Sequence, residues 1–574
     1  MRKVGIKEKI DGAMGRIKCD LVLKNGHIIN VFTNEIINGN LGILEGIIIG
    51  IGDYEGKEEI DLKGKYVSPS FIDAHVHIES SMVAPPLFAK NIIPRGTTTV
   101  IADPHEIANV SGLAGISYIL DSTEETPLDV YVMLPSCVPA TPFETSGAIL
   151  KAKDLKKLIN HPRVKGLGEL MDYVGVVNGS QDIIDKLEIA KDKIVDGHGP
   201  NLFGKELNVY AVSGVKTDHE CTTPEEMLEQ LRAGFYIQMR QGTVTKDVEN
   251  LLSALNKDNL RRCLFCSDDK HPEKISERGH INENINIAIK GGVEPIDAIK
   301  MASLNAAECY GLKGKGAIAP GYIADLIVFD SLTNIKPSLV FKNGKLVAED
   351  SKPLFRVAGD VGSEKIISKV NIKEITKRDI ALYLKGNKVN VIKILPDSVV
   401  TKKVIREVKI ENGVFIKDPN VDICKIVIIE RHSGKSTLFT ALIEGFGIEN
   451  GAISSTVAHD SHNLIIIGDN DEDILNCIRR TKEIDGGITI SSGGKIIGEI
   501  SLKIAGLMST EDLEVVSAKM NELTALTKPL KINERVDPFM TLAFMALPVI
   551  PEIKITDKGL FDVNLFEFIT VDAE

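Results

Sequence analysis

The chain has 574 residues, enough for about three or four domains. Hydrophobic residues make up 43% and charged residues 26%, a balance that can bury a sizeable core and excludes disorder throughout. The 68 basic and 80 acidic side chains give a formal net charge of −12, which argues against nucleic acid or an anionic membrane as the main partner. The longest apolar stretches, Leu41–Ile51 and Met540–Ile550, are interrupted by Glu45 and Pro548. Both fall short of the roughly 20 residues that cross a bilayer. The N-terminal MRKVGIKEKIDGAMGRIK has no apolar core, and the eight cysteines follow no framework spacing. No secretory signal is expected, the thiols are expected to stay reduced, and the chain is placed in the cytoplasm.

Residues 1–65 read as short strands, with Asn25-Gly26 expected to turn a hairpin between two apolar runs. A matching strand-rich piece returns within 311–364, GAIAPGYIADLIVFDSL followed by PSLVFKNGKLVAED, with a second such turn at Asn343-Gly344. The two pieces are expected to pair into one small composite β domain. Between them, residues 66–310 alternate apolar runs such as TTTVIADP, DVYVMLPS and VKGLGEL with stretches of helical periodicity such as TPEEMLEQLRAG. About eight such repeats over this length predict a (β/α)8 barrel. An open doubly wound sheet is the alternative, but no G-x-G-x-x-G follows a strand. Residues 365–574 read as a separate α+β domain with strands KVNVIKIL, CKIVIIE and NLIIIGD and a helix over EDLEVVSAKMNELTALT.

The chemistry concentrates at strand ends. In PSFIDAHVHIESSM, His75 and His77 close an apolar run, and the period of two puts both imidazoles on one face. Alone, such a pair also suits two half-buried polar residues. Later runs end in Glu169 (KGLGEL), His198 (VDGHGP), His219 (KTDHE) and Asp268 (CSDD), at the end of a barrel where active sites are built. Histidines with carboxylates suit Mn, Fe or Zn far better than Ca or Mg.

With these residues in view, the chain resembles the amidohydrolase superfamily and, within it, the adenine deaminase family. The second resemblance covers essentially the whole chain and rests on SPSFIDAHVHIESSM, TTTVIADPHEIANV, GLGELMDY, DGHGP, SGVKTDHE, CSDDKHPE and, beyond the barrel, SSTVAHDSHN and AGLMS. The last two lie in a C-terminal domain that ordinary amidohydrolases lack. The resemblance implies an α/β metal-dependent hydrolase barrel with a composite small β domain and a C-terminal α+β domain. It implies a binuclear divalent metal centre, Mn2+ or Fe2+, on His75, His77, Glu169, His198, His219 and Asp268. Glu169 is expected to bridge the metals, with Lys165, further back in the strand, as the other candidate bridge. Hydrolytic deamination of adenine to hypoxanthine and ammonia, a purine salvage step, is the implied activity. Adenine is then the small-molecule partner, and a homo-oligomer is expected.

Within that chemistry Asp268 is the expected base and proton shuttle. Glu79, two residues after His77 and read as sharing its face, either contacts the purine and donates to N1 or begins the next helix. Asp103, His105 and Glu106 either line the substrate pocket or form an ordinary Asp-Pro loop. Asp269 is either a substrate contact or a helix cap, and its side chain is expected on the face opposite Asp268. Arg240, with Gln241, either meets ring nitrogens or pairs at the surface. His432, His459 and His462 form a group whose place the sequence leaves open between a domain contact and the active site. RHSGKST lacks the first glycine of a phosphate loop, and Cys263-x-x-Cys266 has no second pair, so both are set aside. The rival functions are cyclic amide hydrolysis on the same scaffold and a non-catalytic barrel that has lost its metal.

Overall fold

The runs of the central segment are short, four to seven residues, and mostly buried, which suits parallel strands covered on both faces. In the computed structural model, which describes residues 5–359, 361–366, 370–396 and 398–573, they form β1 (Phe71–Val76), β2 (Thr97–Ala102), β3 (Asp129–Leu134), β4 (Val164–Leu170), β5 (Ile194–Gly197), β6 (Val215–Asp218), β7 (Tyr236–Arg240) and β8 (Cys263–Cys266). Each pairs with the next, all in parallel, and a parallel bridge from Val76 to Asp268 closes the ring. Asp73 fastens that seam. Its carboxylate accepts from the His75 amide (3.2 Å), the Ser267 amide (3.1 Å) and the Ser267 hydroxyl (2.5 Å), tying β1 to the end of β8. The eightfold alternation is the (β/α)8 barrel that the periodicity predicts.

A second sheet is composite. Cys19–Asn30, Glu35–Leu44, Ile47–Ile51, Gly56–Asp61 and Tyr66–Pro69 join Leu326–Phe329, Pro337–Lys342, Lys345–Glu349 and Lys352–Pro353 through antiparallel pairing of Tyr66–Pro69 with Leu326–Phe329. The strand Tyr66–Pro69 therefore belongs to this sheet, beyond the expected boundary at residue 65. The two Asn-Gly steps behave differently. Asn343 and Gly344 both sit at positive φ (51° and 72°) and turn one strand into the next, the twist that suits a two-residue hairpin. Asn25-Gly26 does not turn the chain. Its strand continues to Asn30, and the left-handed Asn25 (φ 56°) opens a bulge between Leu23 and Gly26, because the partner strand Glu35–Leu44 continues the ladder on both sides.

The C-terminal region carries an eight-stranded sheet with strands from Lys388–Ile394 to Lys495–Ser501. Helix Asp471–Glu483 is shaped by its sequence: the Asn470 side chain caps it, three acidic residues fill its first turn and two basic residues its last. The expected helix near the end of the chain is Leu513–Thr527. This region docks on the barrel loops through Ser461 Oγ to Glu144 Oε2 (2.6 Å), Asn463 Nδ2 to the Thr145 carbonyl (2.8 Å) and the Thr145 amide to Asp557 (2.9 Å). No helix among the described residues is long and apolar enough to cross a membrane.

Glu144 makes this docking sensitive to pH. Burial pushes its carboxyl up to about 8, with Asp460 adding to the shift and the Ser461 hydrogen bond opposing it. The folded protein thus keeps a proton that the unfolded chain releases near the ordinary value of 4.5. The stability linked to that proton is fully present below about pH 4.5 and is lost as pH rises to about 8. Glu144→Gln should lessen the fall in stability over this window, measured by denaturant unfolding of both proteins at several pH values. Equal slopes would rule the linkage out.

Candidate active site

The ring brings the strand-end residues to one point. His75 Nε2 and His77 Nε2 lie 3.1 Å apart, and each is 2.9 Å from Glu169 Oε1 on β4. Asp268 Oδ1, just past β8, is 3.2 Å from His77 Nε2 and 3.7 Å from His75 Nε2. On the other side, His198 Nδ1 is 3.0 Å from Glu169 Oε2, and His219 Nε2 is 3.9 Å from Glu169 Oε1. Two donor groups result, His75–His77–Glu169–Asp268 and Glu169–His198–His219, and Glu169 is common to both.

These residues fit a divalent metal. The Nδ1 of His77 donates to the Asp103 carbonyl (3.0 Å), so in the neutral ring Nε2 carries the lone pair. That lone pair faces a carboxylate oxygen of Glu169, a contact that repels unless a cation lies between. The atoms His75 Nδ1, Glu169 Oε1, His198 Nδ1 and His219 Nδ1 are buried without a hydrogen-bond partner. The titration of the site tells the same story. Burial pulls the His77 pKa down, but Glu169 and the hydrogen bond to Asp268 hold it well above the ordinary value. Burial pushes Glu169 up, but His77, His198, His219 and His75 hold it well below. Positive charge is wanted at this spot. His219 differs: burial and the neighbouring His75 hold it at about 3, a neutral imidazole ready to ligate.

The supporting residues set these atoms in place. Asp103 Oδ2 accepts from the Glu169 amide (2.8 Å), and the Tyr210 hydroxyl donates to the Leu170 carbonyl (2.7 Å) while accepting from the His198 amide (2.9 Å). Arg240 is buried rather than paired at the surface. It meets Glu220, Asp247 (2.7 Å) and Asp268 Oδ2 (3.2 Å), because β7 ends facing three carboxylates that need a counter-charge. Glu220, not singled out in the sequence, lies 3.5 Å from His219 Nε2 and 3.7 Å from His198 Nδ1; its one signal was its place beside His219.

Two orientations are not set by strand alternation. Glu79 does not share a strand face with His77, because β1 ends at Val76 and Ile78–Ser81 form a 3-10 turn. Its Oε1 accepts from the Ile107 amide (3.1 Å). Asp269 meets other partners than Asp268 does, as expected, but strand alternation does not set this. The strand stops at Cys266 and Asp268 takes a left-handed φ of 54°, so the alternation lapses. Asp269 accepts from the Ser80 hydroxyl, which also reaches Glu106 Oε1 at 3.3 Å. Lys165 lies away from the centre, its Nζ 4.6 Å above the Tyr131 ring, so it does not reach the position of a bridge. His105 places Nδ1 3.6 Å from Asp103 and Nε2 3.7 Å from Asp460 of the C-terminal region. His459 reaches Glu106 at 3.5 Å, whereas His432 bonds the Ser461 carbonyl (2.8 Å). Cys263 and Cys266 are buried thiols.

A parallel eight-stranded barrel with a histidine–carboxylate cluster at its mouth defines a metal-dependent hydrolase, and residues 66–347 match the amidohydrolase family. Residues 398–567 match the adenine deaminase C-terminal domain. The chain is 50% identical over 567 residues to an adenine deaminase of Clostridium acetobutylicum, covering 98% of this chain and 100% of that one. It is 47% identical over 566 residues to adenine deaminase 2 of Carboxydothermus hydrogenoformans, covering 99% of each. An adenine deaminase of Halalkalibacterium halodurans is 46% identical over 571 residues, covering 98% of each. The chain belongs to the adenine deaminase family.

Proposed function

We propose that this protein hydrolyses adenine to hypoxanthine and ammonia, a purine salvage step, using two divalent cations, Mn2+ or Fe2+. The observation that carries the reading is Glu169 standing between two donor groups, each with its own histidines. His75, His77 and Asp268 would hold one cation and His198 and His219 the other, with Glu169 within reach of both. When bound, the cations supply Lewis acidity that makes hydroxide available near neutral pH.

The protein's own groups handle the protons. Water adds at C6 of adenine, the C6–N bond breaks, and the amino group leaves as ammonia. Asp268 takes the proton released by water and returns it to the departing nitrogen. Burial raises that carboxyl's pKa, but His77, His219 and Arg240 hold it well below the ordinary value, so it is ionised and able to accept. Glu79 is suited to give a proton to N1, since burial raises its pKa and favours the neutral acid. Glu106 is raised further by burial and by the charges of Asp269 and Glu79, and with Asp269 it lines the substrate side.

Ammonia release from a panel of purines and cyclic amides, with metal content measured alongside, tests this. Adenine should be the substrate at about two metals per chain. A chelator should abolish turnover, and Mn2+ should restore it. Hydrolysis of a cyclic amide without deamination of adenine would overturn the assignment, as would full activity with one metal.

A further inference from the structure

Between the antiparallel strands Gly451–Ser455 and Leu464–Gly468 of the C-terminal sheet, the chain makes a loop that is buried throughout. It carries His459, Asp460, Ser461, His462 and Asn463, each at most 4% exposed. So many buried polar side chains need partners. Ser461 and Asn463 find theirs in the barrel loop at Glu144 and Thr145. Asp460 Oδ2 and His462 Nε2 are buried without one. The His459 ring packs on Phe544 with centroids 4.6 Å apart, and its amide donates to the Ala543 carbonyl (3.1 Å). Its Nδ1 lies 3.5 Å from Glu106 Oε1, the oxygen that Ser80 also reaches. The donor atoms of Glu106 in turn stand within 4.8 Å of those of His77 and His105. A continuous run of buried polar side chains thus leads from the candidate metal ligands to the C-terminal region.

Glu106, His459 and His462 place donor atoms within 4.8 Å of one another, which raises the question of a further metal. The tautomer of His462 argues against it. The Ala458 amide donates to His462 Nδ1 (3.2 Å), so the neutral ring carries its proton on Nε2, and a protonated nitrogen does not ligate. These neighbours offer a hydrogen-bond donor from His462, a carboxyl from Glu106 and an imidazole from His459, a set suited to the edge of a heterocyclic base with both donors and acceptors.

We propose that the C-terminal domain completes the substrate pocket and that His459 is a substrate-contacting residue, held against Phe544 and beside Glu106 to position the purine over the metal ligands. This rests on the purine deaminase reading above. The test compares the full-length, metal-loaded wild type with His459→Ala, His459→Gln and His432→Ala. The last disturbs the same loop through the Ser461 carbonyl and is not in the Glu106–His459–His462 group. Measured are kcat and KM for adenine, hypoxanthine affinity by calorimetry, metal content and the unfolding midpoint. His459→Ala should raise KM and weaken hypoxanthine binding by about tenfold or more, with metal content and midpoint close to wild type; His459→Gln should recover part of the affinity and His432→Ala should resemble wild type. If the alanine variant does not fold, the glutamine variant decides, with a weakened KM at full metal content still expected. Unchanged KM and hypoxanthine affinity in a folded variant would overturn the proposal. So would loss of one metal per chain, which would make His459 a ligand, or an equal defect in His432→Ala, which would make the loop merely structural. A wild type that does not deaminate adenine defeats the functional reading instead, and the hypoxanthine titration still reports on His459.

Discussion

Asp268→Asn lowers turnover of adenine by at least about 10²–10⁴-fold, the usual share of general acid–base catalysis, while KM changes little. The substitution keeps the shape of the side chain, ligates a metal more weakly and loses the capacity to carry a proton. Residue 268 sits at φ 54°, and asparagine tolerates the left-handed region well, so the backbone is not strained. The amide oxygen can still accept from Arg240 Nη1, which lies 3.2 Å from Asp268 Oδ2. An amide cannot take up a proton and return it. Steady-state kinetics on protein of known metal content checks the result, and turnover within tenfold of wild type with metals retained would remove Asp268 from the proton path. Asp269→Asn is a different experiment: its side chain meets Ser80, which also reaches Glu106, so its effect should fall on KM.

Glu169→Gln empties the metal centre while leaving the fold in place. Glu169 reaches His75 and His77 through Oε1 and His198 through Oε2, and one negative charge serves both donor groups. A neutral amide of the same volume cannot balance two divalent cations. Elemental analysis should show most of the metal lost, circular dichroism should show the native content of strand and helix, and adenine turnover should fall with the metal. Two metals and near-normal turnover would show that Glu169 is not the bridge. Lys165 does not offer a ready replacement, since its ammonium lies over Tyr131.

The candidate cluster was legible because a barrel brings strand ends to one place whatever separates them in sequence. His75, Glu169, His198, His219 and Asp268 could be read from the ends of apolar runs, and the structure gathers them. Orientation beyond the last paired residue was not legible. The period of two holds only while the ladder lasts, and it fails at Ile78, where a 3-10 turn begins, and at Asp268, where φ becomes positive. The two Asn-Gly steps show a similar limit: a bulge and a hairpin turn share a dipeptide, and the partner strand decides between them. Arg240 was left open between ring nitrogens and a surface pairing because nothing local shows that Glu220, Asp247 and Asp268 converge on it. His459 and its neighbours lay furthest from reach, since Ser461 meets a residue 317 positions away.

The Asp73 seam has a consequence for how the centre and the fold depend on each other. Neighbouring strands around the ring are joined by short crossovers, but β1 and β8 meet across 194 residues at the contact of Asp73 with Ser267. Joining them carries the loop-closure entropy of the whole ring. His75 and Asp268 stand on the two sides of that join, with the Asp268 amide donating to the His75 carbonyl (3.1 Å). A cation held by both side chains would bind only the closed ring, so metal occupancy would stabilise ring closure by mass action. A metal centre there would also act as a clasp: the join of the barrel most distant in chain connectivity is the one such a cofactor would span.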